Sequence, residues 1–171
     1  MSSDEYRLSS AVGSMAHRID NTLGNGDVAA LRRAASGAYA PAFWRLIIEL
    51  VPESRRSGPV MEQRWACVTS LLATCAGLHD PKVRAGRALA ESNWSETRLV
   101  RLLEAREEQL ESAIRQVGHY LASKQHRANL AELAALLVHQ DGDAADSCRL
   151  AVARSYYQSE FQQASKKGED R

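Results

Sequence analysis

Apolar residues recur along this chain at helical spacing almost from end to end, and no segment offers the alternation of a strand. Val12, Met15, Ile19 and Leu23 follow i, i+3, i+7, i+11. Gly24-Asn25-Gly26 then breaks the chain, and Asp27 is expected to cap a helix through Leu31 that ends near Gly37. Pro41 suits the first turn of the next helix, where its missing N–H costs little, with Phe43, Trp44, Ile47 and Leu50 behind it. Pro52 to Pro59, with two serines, a glycine and Arg55-Arg56, reads as a loop. A longer helix follows with Trp65, Val68, Leu72 and Cys75 on one face, stopping at Gly77.

In the second half, Asp80-Pro81 is expected to start a helix through Ala90. Asn93 to Glu96 and Asn129 to Glu132 both fit the reciprocal capping pattern, a short polar side chain with Glu three residues later. Leu99, Leu102 and Leu103 lie behind the first, and Leu130, Leu133 and Leu137 behind the second. Leu110, Ile114, Val117 and Leu121 form another amphipathic stretch between them. Asp143 is placed at the start of a last helix burying Leu150, Tyr157 and Phe161, with residues 166–171 fraying. These readings predict an all-α, compact bundle of about eight or nine helices forming one domain over residues 1–165. Phe43, Trp44, Trp65, Leu102, Leu133 and Tyr157 are its expected core.

A chain of 171 residues with 44% hydrophobic and 25% charged residues can bury such a core. Its longest unbroken apolar run, Leu133 to Val138, is too short to cross a bilayer. The start Met-Ser-Ser-Asp-Glu lacks the basic and apolar regions of a signal peptide, so a cytoplasmic protein is expected. Cys67, Cys75 and Cys148 form no C-x-x-C pair and read as small buried hydrophobes.

Catalytic patterns are not found. Gly24-x-Gly26-x-x-Ala29 loosely matches a dinucleotide fingerprint, but no strand precedes it. His17, His79, His119, His126 and His139 make no H-E-x-x-H or H-x-x-x-H pair, and none has Glu three residues before it. Glu104, Glu107, Glu108 and Glu111 suit an exposed face with i, i+4 partners such as Arg115 better than a carboxylate pair for acid–base work. No serine stands in a G-x-S-x-G elbow. The expectation is a non-enzyme with no catalytic residue, metal or cofactor.

The informative residues are basic. Net charge is only +1, yet 18 of 22 basic residues are Arg, whose planar fork matches phosphate oxygens. A GC-rich coding bias gives the same skew, so position has to decide. Arg32-Arg33 come late in a helix, Arg84 and Arg87 share a face, and so do Arg98 and Arg101. Lys124 and Arg127 precede Asn129. Arg98 and Arg101 also flank Leu102, so their stems can cover the core edge while their heads reach water. No aromatic platform accompanies the charge, because Phe43, Trp44 and Trp65 fall on apolar faces, which predicts backbone contact rather than base reading.

Several stretches, in order, resemble the CasB family, the small subunit of the type I-E CRISPR surveillance complex, Cascade. They are Ala30-Leu31-Arg32-Arg33-Ala34, Pro41-Ala42-Phe43-Trp44-Arg45-Leu46, the run from Gly86 to Ser92, and the run from Ser95 to Leu103. Weaker echoes lie in Tyr120–Lys124, Asn129–Leu133 and Arg154-Ser155-Tyr156-Tyr157. Thr97 and Val100 are uncharged where the family pattern often has further basic residues, which thins the basic surface.

The resemblance implies a helical protein, present in two copies beside the backbone and large subunits. It would stabilise guide RNA, target DNA and the displaced non-target strand. By motif match it implies Arg32, Arg33, Arg87, Arg98, Arg101 and Lys124 as phosphate contacts; Arg56, Arg64, Arg84 and Arg127 join them on charge and position. A helical adaptor that touches only protein is one alternative. A helix-turn-helix regulator using Arg84–Ala90 and Asn93–Leu103 is another.

Overall fold

The computed structural model describes residues 3–36 and 40–169. Among them are ten α-helices and no strand. In chain order the helices are α1 (Ser3–Asn21), α2 (Asn25–Arg32), α3 (Pro41–Leu50), α4 (Glu53–Arg56), α5 (Pro59–Thr74), α6 (Ala85–Glu91), α7 (Glu96–Glu104), α8 (Glu107–Lys124), α9 (Leu130–His139) and α10 (Gly142–Glu169). A 3-10 turn, Ala34–Ser36, follows α2. No helix among the described residues is long and apolar enough to cross a membrane.

Two helices are buried almost all round and form the centre. In α5 every residue from Trp65 to Ala73 is buried, and in α9 only Glu132 interrupts burial from Leu130 to Val138. A helix with no polar face must satisfy its polar side chains locally. Thr69 Oγ1 donates to Ala66 O (3.0 Å) and Ser70 Oγ to Arg32 O (2.8 Å). Around this pair α1, α2, α8 and α10 present their apolar stripes, including Val12, Met15 and Ile19 of α1 and Leu110, Ile114, Val117 and Leu121 of α8. Phe43, Trp65, Leu102 and Leu133 are fully buried; Trp44 is half-buried, edge-on to Phe43 at 5.2 Å. Cys67, Cys75 and Cys148 form no disulfide among the described residues. Burial pushes those of Cys67 and Cys75 up to about 12, so neither is a thiolate at neutral pH.

The ends of elements depart from the sequence reading for identifiable reasons. Gly24, not Asp27, occupies the cap position of α2; α2 stops at Arg32, and Gly37 lies outside the described residues. The Pro52–Pro59 segment holds the one-turn helix α4, kept in place because Trp65 Nε1 donates to Arg55 O (2.9 Å). Asp80 does not start a helix. Its Oδ1 accepts from Lys82 N (2.9 Å) in a local turn, and α6 begins only at Ala85. Asn93 takes a left-handed φ of 63° between α6 and α7, leaving Ser95 in the cap position of α7. Asn129 does cap α9, accepting from Ala131 N, but Glu132 turns away to accept from Ala85 N (2.7 Å) at the start of α6.

The largest departure is the register of α10. Tyr157, expected in the core, is 45% exposed, with Leu150 at 62% and Phe161 at 75%. The inward stripe is instead Ala145, Arg149, Val152, Tyr156 and Ser159, one position away. The cause is Gly86 on α6. A Cβ there would fall on Val152 O and Ser155 Oγ and within 2.8 Å of Tyr156 N. Backbone contact at this crossing fixes which side of α10 meets α6: Val152, Ser155 and Tyr156 turn inward, and Leu150 and Tyr157 are left outside.

A second tie joins the loops before α6 and α9. Ala128 N donates to Leu78 O (3.0 Å) and Asp80 N to Ala128 O (2.9 Å), while His79 Nδ1 accepts from Leu130 N (3.2 Å). Acceptance at Nδ1 requires a neutral imidazole. Burial holds the His79 pKa below its usual value of 6.5, against the opposing pull of Asp20 and Asp80.

Two outcomes follow. Gly86→Ala is expected to destabilise the fold by about 1–3 kcal/mol or more through overpacking, read as a lower midpoint in urea. For His79 the folded pKa is depressed, so its stabilisation is complete above about pH 6.5 and is lost as pH falls through the folded value. Melting temperature should therefore drop between pH 7 and 5. His79→Asn, whose Oδ1 still accepts but does not titrate, should flatten that drop; equal slopes in the two proteins would remove His79 from the explanation.

Candidate nucleic-acid interface

Between the end of α6 and the start of α7 the chain turns through Asn93, and the turn places Trp94 beneath α7. Trp94 is 5% exposed, its backbone oxygen accepts from Tyr156 Oη (2.6 Å), and its ring meets Tyr120 of α8 edge-on at 4.8 Å. Tyr120 Oη in turn donates to Ser92 O (2.6 Å). Burial raises the Tyr156 pKa above its usual value, with Glu160 and Glu96 adding to it, so the hydroxyl is a donor at neutral pH. The indole N–H of Trp94 is buried without a hydrogen-bond partner. Its ring is thus seated by π contacts and by the backbone.

Two cations rest on this aromatic pair. Arg98 Cζ stands 5.2 Å from the Trp94 ring centroid and Lys124 Nζ 5.7 Å from that of Tyr120. Both side chains are exposed, as is Arg101 one turn further along α7. Among the described residues none of the three has a carboxylate within 4.0 Å. Leu99 and Leu102 anchor the inner face of α7, and Lys124 ends α8, where the helix dipole favours a cation. Glu96, two residues before Arg98, accepts from Tyr157 Oη (2.8 Å) of α10. The arrangement offers ring-oriented, exposed positive charge to an anion without first breaking an ion pair.

The other expected contacts sit in different settings. Arg32 ties α2 to α5 through Nε to Ala73 O (3.0 Å), with its head group exposed; Arg33 is exposed at the end of α2. Arg56 Nε donates to Val51 O (3.1 Å) and Arg64 Nη1 to Val138 O (3.0 Å), both half-buried. These two brace the α4, α5 and α9 corner. Arg84 pairs with Glu132, Arg87 with Glu91 (2.7 Å), and Arg127 lies 4.0 Å from Asp80. The ten residues therefore do not assemble into one unneutralised track. Arg98, Arg101 and Lys124 keep their charge open.

Sequence reasoning missed Trp94 and Tyr120. Each stands four residues before its cation, Trp94 before Arg98 and Tyr120 before Lys124, and that shared spacing was the available signal. Among the described residues no three His, Cys, Asp or Glu side chains converge as a metal site would require.

Fold and site together define a small, all-helical protein that carries two exposed cations on a pair of aromatic rings. The family model for the CRISPR-associated protein Cse2 matches residues 27–157. The chain belongs to that family. Its fold is similar to the crystal structure of M. ruber CasB, with a TM-score of 0.73 at 18% identity over 91% of this chain and 97% of that one. CasB from Thermobifida fusca aligns with a TM-score of 0.63 at 19% identity over 89% and 96%. A chain of E. coli Cascade bound to a PAM-containing dsDNA target aligns with a TM-score of 0.61 at 20% identity over 84% and 95%. No curated protein sequence matches the chain.

Proposed function

We propose that this chain is the small, non-catalytic subunit of a type I-E CRISPR Cascade complex, where it holds nucleic-acid backbone through sequence-independent phosphate contacts. The observation that carries the reading is the cation pair of Arg98 and Lys124, seated on Trp94 and Tyr120 and extended by Arg101, with no neutralising carboxylate among the described residues. Family membership and the fold shared with a chain of DNA-bound Cascade support the setting.

In such a complex base pairing with the guide RNA selects sequence, and protein contributes affinity for sugar-phosphate chains. Arg98 and Arg101 present guanidinium forks suited to adjacent phosphate oxygens, and Lys124 a compact ammonium. Guide RNA, target strand and displaced strand all carry that backbone. Its protein neighbours are the backbone subunits, the large subunit and a second copy of the chain. Arg32, Arg33, Arg84, Arg87 and Arg127 add secondary contacts; for the last three, exposed ion pairs are worth about 0–1 kcal/mol, so a phosphate can displace the carboxylate. Arg56 and Arg64 act mainly as braces.

Replacing Arg98, Arg101 and Lys124 together by Ala should weaken binding to DNA of any sequence and lower the slope of log K against log salt by about 2. Titration by fluorescence anisotropy at four salt concentrations, on the chain alone and in reconstituted complex, measures both. Affinity and slope equal to wild type would overturn the reading and favour an adaptor that touches only protein.

A further inference from the structure

The outer face of α10 presents two large aromatic rings to solvent. Tyr157 and Phe161, 45% and 75% exposed, stand one helical turn apart, with Arg154 on the turn before them. Arg154, Tyr157, Gln158, Phe161 and Gln162 line an open hollow of about 540 Å³. No acidic side chain lines it. Arg154 is exposed and, among the described residues, has no carboxylate within 4.0 Å.

The Tyr157 ring is held in place at two points. Its hydroxyl donates to Glu96 Oε1 (2.8 Å), and its ring meets that of buried Tyr156 edge-on at 5.4 Å. That hydrogen bond raises the Tyr157 pKa, so the hydroxyl stays protonated at neutral pH. The rings are therefore presented by a fixed scaffold, and one of them is pinned before any ligand arrives.

We infer that this face binds unpaired bases of a single-stranded nucleic acid, with Tyr157 and Phe161 stacking on bases and Arg154 holding the adjoining phosphate. Residues four apart on a helix are separated by about 6 Å along its axis, so successive rings can flank a base inserted between them. Here Arg154, Gln158 and Gln162 interleave with the rings, giving a cation and amide donors beside π faces, which is the composition of a single-strand platform. Duplex DNA keeps its bases stacked and offers nothing to the rings. Every base has a π face, so no sequence preference is expected.

The inference rests on the nucleic-acid reading and adds a mode of contact to it, stacking on unpaired bases, at a site apart from Arg98 and Lys124. Phe161 is mostly exposed, so its removal leaves the fold intact. With the full-length chain, a fluorescein-labelled oligo-dT and a mixed-sequence duplex of the same length serve as probes. Phe161→Ala should weaken oligo-dT binding about five- to hundredfold, the range of stacking losses, without changing the salt slope or duplex affinity. Arg154→Ala should lower the single-strand slope by about 0.7. Phe161→Trp should restore affinity, and its emission should be quenched on addition of oligo-dT.

Phe161→Ala binding oligo-dT as tightly as wild type overturns the inference, as does equal loss on strand and duplex. So does an unquenched Phe161→Trp. A change in sedimentation or in assembly with partner subunits, with oligo-dT affinity intact, assigns the face to protein and likewise overturns it. A silent Phe161→Ala beside an impaired Arg98, Arg101 and Lys124 variant removes stacking and leaves the cation site standing; the opposite pattern removes the cation site and leaves stacking.

Discussion

Gly86 lets α6 and α10 approach to backbone contact, and much of the molecule's working surface depends on that approach. With no side chain at this position, Val152 O, Ser155 and the amide of Tyr156 occupy the space a Cβ would need. Tyr156 then reaches Trp94 O and Tyr157 reaches Glu96. The first contact fixes the α6–α7 turn under Arg98; the second engages Glu96, the acid nearest in sequence to Arg98. One missing methyl group thus bears on both the seat of the cations and the placement of Tyr157.

Electrostatics in a chain of net charge +1 are decided by pairing rather than by total. Arg84 and Arg87 have carboxylate partners, Arg56 and Arg64 spend donors on backbone oxygens, and Arg98 and Lys124 rest on rings. These settings differ in consequence. A ring orients a cation without cancelling its charge, and contributes about 0.5–1 kcal/mol at an exposed site. A carboxylate cancels the charge, although an exposed pair is weak enough to exchange partners. A backbone carbonyl in a half-buried corner holds the guanidinium as part of the fold. Counting arginines therefore overstates the binding surface.

Helical periodicity in α1, α5, α8 and α9 was legible because each of these helices buries one broad face or its whole girth, as Val12, Met15 and Ile19 or Leu110, Ile114, Val117 and Leu121 show. It misled in α10, where Leu150, Tyr157 and Phe161 carry the larger apolar groups but Val152, Tyr156 and Ser159 face inward. The crossing at Gly86 decides which side of α10 turns inward, and hydrophobicity alone does not record that. Asp80 and Asn93 misled for a different reason: both serve turns whose partners, Ala128 for Asp80 and the α6–α7 reversal for Asn93, come from the folded chain.

Arg98, Arg101 and Lys124 were visible as charges. Trp94 and Tyr120 were not visible as their support, because the pair joins two segments more than twenty residues apart and only the tertiary fold brings the rings together.

The central claim is that sugar-phosphate chains run over Arg98 and Lys124. A cryo-EM map of the assembled, target-bound complex containing this chain tests it most directly. The account predicts the Arg98 guanidinium and Lys124 ammonium within about 3 Å of phosphate oxygens, still stacked on Trp94 and Tyr120. A map in which both cations face protein or open solvent while every strand passes elsewhere would contradict it.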